Sequence, residues 1–344
     1  MDSDSANQPS KWPLEGYFSC GNGLVVSLQC LGQSFPARTE SYSIAVTLPS
    51  LCDTDPGKPL RRPAYSFNAN GEDPNGHEAN SEWGVVGQPR KFADDPETKH
   101  AIVHQCVVTT EVEAHDEDSF FDSMVAVSEE VADWWSWIGD WITVTTGQDL
   151  TGSGKRPRDL LTNGGFHAWS GYPDGRRRVP IGWAHQFHTA PVGVLEPAQL
   201  QLAMDLVADD QCPETEWLFI RDARSLLQIG DYRRAVIDAG SAAELALTKL
   251  LQSRLAKVDP VIRETLLHRN RGLERRAVLA RDLKAGTVPK TFAERLNRPR
   301  NRATHGGEPI TKDEAMAAID EATALVDQAF PLPEGLRCTE FARR

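Results

Sequence analysis

Long apolar runs are missing from this chain. Nothing in its 344 residues approaches the roughly 20 consecutive apolar positions that a helix needs to span a bilayer, so no membrane role is expected. The opening "MDSDSANQPSKWPLEG" has no basic n-region followed by an apolar h-region, and does not read as a secretory signal. CxxC pairs are missing too. The six cysteines, Cys20, Cys30, Cys52, Cys106, Cys212 and Cys338, are widely and irregularly spaced. That argues against a disulfide framework and against a zinc site, and fits thiols kept reduced in a cytoplasm. His100, His104, His115, His167, His185 and His188 show no HExxH spacing. A phosphate loop is absent as well. Gly147 and Gly152 have its spacing, but Ser153 stands where the lysine is needed, and Lys155 is followed by Arg156 where Ser or Thr should follow a motif lysine. Neither a metal nor a cofactor is expected, and a nucleotide-modifying enzyme lacks its phosphate cradle.

Charge is present in abundance and unevenly spread. The net charge is −12, with residues 1–210 at −16 and residues 211–344 at +4. Within 254–302 there are 14 basic residues against 5 acidic ones. An acidic chain therefore carries one concentrated basic segment, which is either a solvated helical surface or a patch that gathers a polyanion.

Periodicity divides the chain into two domains of α+β class. Residues 1–14 are polar and read as disordered. Residues 15–190 read as a mixed, mainly β domain with one long helix. "GLVVSLQCLG", "SYSIAVTLPS" and above all "AIVHQCVVTTEVEA" are β-branched and strand-like, while 52–80 is rich in Pro, Gly, Asn and Asp and reads as loop. Phe120, Met124, Val127, Val131, Trp134, Trp135, Ile138 and Trp141 recur at steps of three and four, the mark of an amphipathic helix whose tryptophans belong to a core or a dimer contact. "GGFHAWSG" and "VPIGWAHQFHT" read as short strands around a "PDGRRR" turn.

Strand signals then stop. Residues 191–211 read as a helical linker opened by Pro197, and 212–330 as an all-helical bundle, with a tail over 331–344. Trp217, Ile220, Ala223 and Leu227 share one helix face, Gly230-Asp231 marks a break, and Val236, Ala239, Ala243, Leu247 and Leu250 share the next. Pro260 opens a third helical segment. Thr291 to Glu294 and Thr311 to Glu314 have capping-box spacing, the second ahead of Ala315, Ala318, Ile319, Ala322, Val326 and Ala329.

The helix pair "LLQIGDYRRAVIDAGSAAELALTKLL", the basic middle and "RNRATHGG" before a last helix together resemble the HEPN superfamily, over about residues 212–330. The resemblance implies a compact helical bundle and, in ribonuclease members, an Arg followed four to six residues later by His, usually with Asn after the Arg. Arg300-Asn301-Arg302-Ala303-Thr304-His305 matches with four intervening residues. Arg298 also fits, with six, and Asn301 favours Arg300. Pro299 removes an N–H and disfavours helix at Arg298, so a fresh turn is expected to begin there.

Those residue types suit RNA transesterification. A His titrates near neutral pH and can move protons, an Arg offers phosphate a permanently charged fork, and an Asn can position either. The resemblance implies Arg300, Asn301 and His305 as catalytic residues, with 2′,3′-cyclic phosphate and 5′-hydroxyl ends as products. Arg298, Arg302, Lys290, Arg295, Arg271, Arg275 and Arg276 would contact the RNA, with His268 and Arg269 near its path. Glu244 would point into the cleft, form a buried ion pair with a bundle arginine, or simply be exposed. Related domains dimerise, so a homodimer with a composite cleft is expected. Residues 15–190 would then sense a trigger ligand or protein, or hold the nuclease in check, as in toxin and anti-phage systems. The rival expectation is a non-catalytic HEPN-like scaffold that binds nucleotide or RNA, or only dimerises. His305-Gly306-Gly307 ahead of Lys312 could also mark an anion site at a helix start, or only a turn.

Overall fold

The computed structural model describes residues 9–63, 79–87, 99–148, 150, 167–172, 175–180 and 193–336. The "TGSGKRPRD" loop and the His185 and His188 pair lie outside these. The class is α+β, and the chain divides into two compact units.

The first unit is an antiparallel sheet with helices. β6 (His100–Ala114), the most β-branched stretch, is its centre. β1 (Ser10–Ser27) runs along one edge of β6, while β3 (Ser43–Thr47) and β5 (Ala79–Val86) share the other edge. β2 (Ser34–Arg38) extends β3, and β4 (Pro59–Arg61) extends β5. The disorder expected over 1–14 is corrected for Ser10–Leu14, which is strand paired to Thr110–Ala114. The loop reading of 52–80 is corrected at β4 and at the start of β5. Both stretches have weak local propensity and gain their form from partners far along the chain.

α1 (Glu117–Thr146) follows β6 directly, capped by Asp116, which accepts from the Ser119 N–H at 2.8 Å. Its buried stripe is Val127, Val131, Trp134, Ile138 and Trp141, the inward face the periodicity marks. Three buried threonines end the helix, and each hydroxyl returns to a carbonyl four residues back: Thr143 to Gly139, Thr145 to Trp141 and Thr146 to Ile142. Buried hydroxyls are thereby satisfied at no cost to the core. The adjacent Gln148 is 2% exposed and fully used. It accepts from the Val25 N–H and donates to the Val25 and Gly193 carbonyls, closing the outer edge of β1. α2 (Pro197–Ala208), expected as a linker, belongs to this unit because Leu200, Ala203, Met204 and Val207 bury one face in it.

Glu130 on α1 fastens the β2–β3 turn, accepting from the Thr39 hydroxyl at 2.6 Å and the Ser41 N–H at 2.9 Å. Partial burial pushes its carboxyl upward, but these hydrogen bonds outweigh that and hold it below the usual 4.5. A carboxyl lower in the folded than the unfolded state stabilises above its unfolded value, and that contribution fades as pH falls through the folded value. The urea midpoint of Glu130→Gln is therefore expected to trail the wild type at about pH 7 and to approach it near about pH 3.

A two-stranded antiparallel hairpin, β7 (His167–Tyr172) and β8 (Gly175–Pro180), groups with the second unit. This corrects the turn expected over "PDGRRR", because Arg176, Arg177 and Arg178 lie in β8.

The rest of the second unit is helical. α3 (Thr215–Ile229) and α4 (Tyr232–Arg254) meet at Gly230-Asp231, where the Asp231 carboxylate accepts from the Arg234 N–H. α4 is the central helix, burying Ala235, Val236, Ala239, Gly240, Ala243, Ala246, Leu247 and Leu251. α5 (Pro260–Arg269) and α6 (Leu273–Asp282) follow. Next comes a continuous helical segment, α7, built as a π turn Ala293–Asn297, an α turn Arg298–Asn301 and a second π turn Arg302–Gly306. α8 (Lys312–Ala329) closes the unit against α4, with the Thr311–Glu314 capping box formed.

Candidate functional site

The site residues come from α4, α6 and α7. Leu296, Pro299 and Ala303 of α7 are buried. Arg298, Asn301 and His305 are exposed, at steps of three and four, so they share the outward face. The fresh turn expected at Pro299 is corrected: Arg298 is helical at φ −65°, ψ −50°, and the helix runs through. The reason is the π turn just before it, closed by the Arg298 N–H on the Ala293 carbonyl. Wider winding relieves the clash a proline ring makes with the carbonyl four residues back.

Arg300 is placed differently from its neighbours. Its stem crosses α4 at Gly240, where an added Cβ would lie 2.7 Å from the Arg300 Cγ. Its Nη2 is 3.9 Å from one oxygen of Glu244, one helical turn further along α4. The other Glu244 oxygen accepts from the Arg276 Nη1 at 2.9 Å. Of the three readings left open for Glu244, the ion pair is formed, to Arg276 and more loosely to Arg300. Arg276, expected to contact RNA, is held in this ion pair, with its side chain 17% exposed and its Nε buried without a hydrogen-bond partner. One carboxylate thus faces two guanidiniums. Arg276 holds it tightly and Arg300 loosely, so the triad retains net positive charge.

Further contacts fix α7 against the other helices. Arg233 of α4 donates from Nε to the Ala303 carbonyl at 2.8 Å, one of the carbonyls a helix end leaves without an internal partner. The buried Asn297 donates to Glu274 of α6 at 3.2 Å. Thr304 donates to the Arg300 carbonyl at 2.8 Å. On an α-helix, positions five apart point about 140° from one another at 3.6 residues per turn. The π winding from Arg302 to Gly306 reduces that angle between Arg300 and His305.

The other cationic candidates separate into two groups. Arg298, Arg271, Arg275 and Lys290 are exposed and lie in no ion pair among the described residues. Arg302 and Arg295 are in pairs. Arg302 donates to Glu314 and lies 4.0 Å from Glu308, and Arg295 lies 3.6 Å from the buried Glu321. The Thr311 N–H, with Arg302 in support, holds the Glu314 carboxyl below its usual range. His268 and Arg269 end α5 on the surface.

One sequence expectation fails here. The Thr291 hydroxyl donates to Glu321 at 2.5 Å instead of capping Glu294, because a buried carboxylate competes better for it. At the helix start after His305-Gly306-Gly307, the Thr311 side chain accepts from the Glu314 N–H, so one of the first-turn donors is already used. Gly240, Arg233, Asn297 and Glu274 were not read from the sequence as site residues. Gly240 had a signal: a glycine inside a helix costs about 1 kcal/mol against alanine, so its presence calls for a close approach. Among the described residues, no three His, Cys, Asp or Glu side chains converge as a cation site.

Comparison with known protein families, with curated proteins and with solved structures gives no match for this chain.

Proposed function

We propose that the second unit is a metal-independent endoribonuclease of the HEPN type. Arg300 bears on the scissile phosphate, His305 moves the proton, and Asn301 positions them. The 2′-hydroxyl attacks the phosphorus, the leaving 5′-oxygen gains a proton, and the ends are a 2′,3′-cyclic phosphate and a 5′-hydroxyl. Each chain brings one histidine, and a two-fold homodimer would bring two Arg-His pairs to a single cleft. Arg298, Arg271, Arg275 and Lys290 would gather the RNA backbone electrostatically. The first unit would respond to a trigger and restrain cleavage. A toxin or anti-phage role rests on analogy with similar architectures alone.

The observation that carries this reading is the division of labour along α7. Arg300 is seated on α4 by Gly240 and Glu244, while Asn301 and His305 share an exposed face with Arg298. The test incubates the purified full-length chain with total RNA in EDTA and sequences the ends. Chelator-resistant cleavage with cyclic phosphate ends is expected. RNA that is bound but left whole would instead favour a non-catalytic RNA-binding scaffold.

A further inference from the structure

Cys20 and Cys106 are both fully buried in the first unit, and their sulfurs are 3.3 Å apart. The ribonuclease proposal uses neither. Phe18 pairs with Cys106 across β1 and β6, and Cys20, two residues on, shares the Phe18 face, so the two cysteines are diagonal neighbours. In a regular ladder, diagonal neighbours lie about 7–8 Å apart. A disulfide needs Cα atoms within about 4.4–6.8 Å. Here the ladder is not regular: pairing stops at Ser19↔Gln105 and resumes at Leu24↔Val103. Residues 20–23 form a bulge in which Gly21 and Gly23 take positive φ, +64° and +98°, as glycine readily does. A bulge bends its strand and locally disrupts the ladder. The two sulfurs meet where the β1–β6 register breaks.

We propose that Cys20 and Cys106 are a modification site, a dithiol that a hydroperoxide converts into a disulfide joining β1 to β6. The thiolate of one cysteine attacks the O–O bond, takes up the terminal OH as a sulfenic acid, and releases water from hydrogen peroxide or an alcohol from an organic hydroperoxide. The second thiolate attacks the sulfenic sulfur, the S–S bond forms, and the expelled hydroxide leaves as water. Two thiols lose two electrons and two protons, and the peroxide accepts them. Burial, with the neighbouring Cys106 thiol adding to it, raises the Cys20 thiol well above its ordinary range. Reaction is therefore slow and passes through opening of the strand at the bulge. The exposed Cys52 and Cys212 give the comparison for simple surface oxidation.

The test treats the full-length chain with hydrogen peroxide, unfolds it with an alkylating agent present, and maps it by mass spectrometry without reduction. A linked peptide, lighter by two hydrogens than its thiol parts, is expected to hold most of the Cys20 and Cys106. Fragmentation distinguishes Cys20 from Cys30, and dithiothreitol removes the link. The oxidised chain is also expected to melt at a higher temperature until it is reduced. Recovery of Cys20 and Cys106 as alkylated thiols while Cys52 and Cys212 are oxidised overturns the proposal, as does a link through Cys30. The wild-type map decides by itself, so no variant has to fold.

Discussion

Replacing His305 with alanine is expected to lower RNA cleavage by about 10²–10⁴-fold, the range a positioned general acid or base supplies. The side chain is exposed at the end of α7 and takes part in no described hydrogen bond or ion pair. Its removal should therefore change the unfolding free energy, read from urea denaturation, by no more than about 0.5 kcal/mol, as for most surface substitutions. Both numbers are needed. A fall in cleavage with unchanged unfolding assigns the loss to chemistry, and a parallel fall in both assigns it to the fold. RNA affinity should hold, because Arg298, Arg271, Arg275 and Lys290 remain to neutralise phosphates. A His305→Ala chain that cleaves at the wild-type rate would falsify the ribonuclease proposal, since no other histidine lies on α7.

The sequence was most legible where a single period ran long enough to decide. The steps from Phe120 to Trp141 specify the inward face of α1, and the small residues from Ala235 to Ala246 specify a helix that neighbours approach closely. It was least legible where a distant partner or a non-α winding prevails over local preference. "SKWPLEGYFS" carries a proline and a glycine and is strand only because β6 pairs with it over Ser10–Ser19. Pro299 followed the local rule on paper and broke it in the fold, because nothing local announces the π turn at Ala293–Asn297 that accommodates it. At the site, the Arg-Asn-His string was visible as types and spacing. Which arginine is seated was not visible, because that depends on a glycine 60 positions earlier, reached only through the packing of α7 on α4.

That seat gives the second large expectation. Gly240→Ala places a Cβ 2.7 Å from the Arg300 Cγ, with the Arg300 Cβ and Cδ at 3.6 and 3.7 Å, so the arginine stem cannot stay where it is. The fold should bear this well. Arg300 is 28% exposed and has room to swing outward, and alanine is favoured over glycine inside a helix by about 1 kcal/mol, which offsets the local strain. The unfolding free energy, read from urea denaturation, is expected to change by about 1 kcal/mol or less. Cleavage is expected to fall about 100-fold, since a displacement of about 1 Å can cost that much. Ser241→Ala, on the next residue of the same helix, should leave both quantities near wild type. Gly240→Ala also separates the two arginines. If Arg300 serves the phosphate, Arg298→Ala weakens RNA binding while cleavage at saturating RNA persists. Should Gly240→Ala leave cleavage intact while Arg298→Ala abolishes it, Arg298, with six residues between it and His305, takes over the role, and the Gly240–Glu244 seat is only a packing contact.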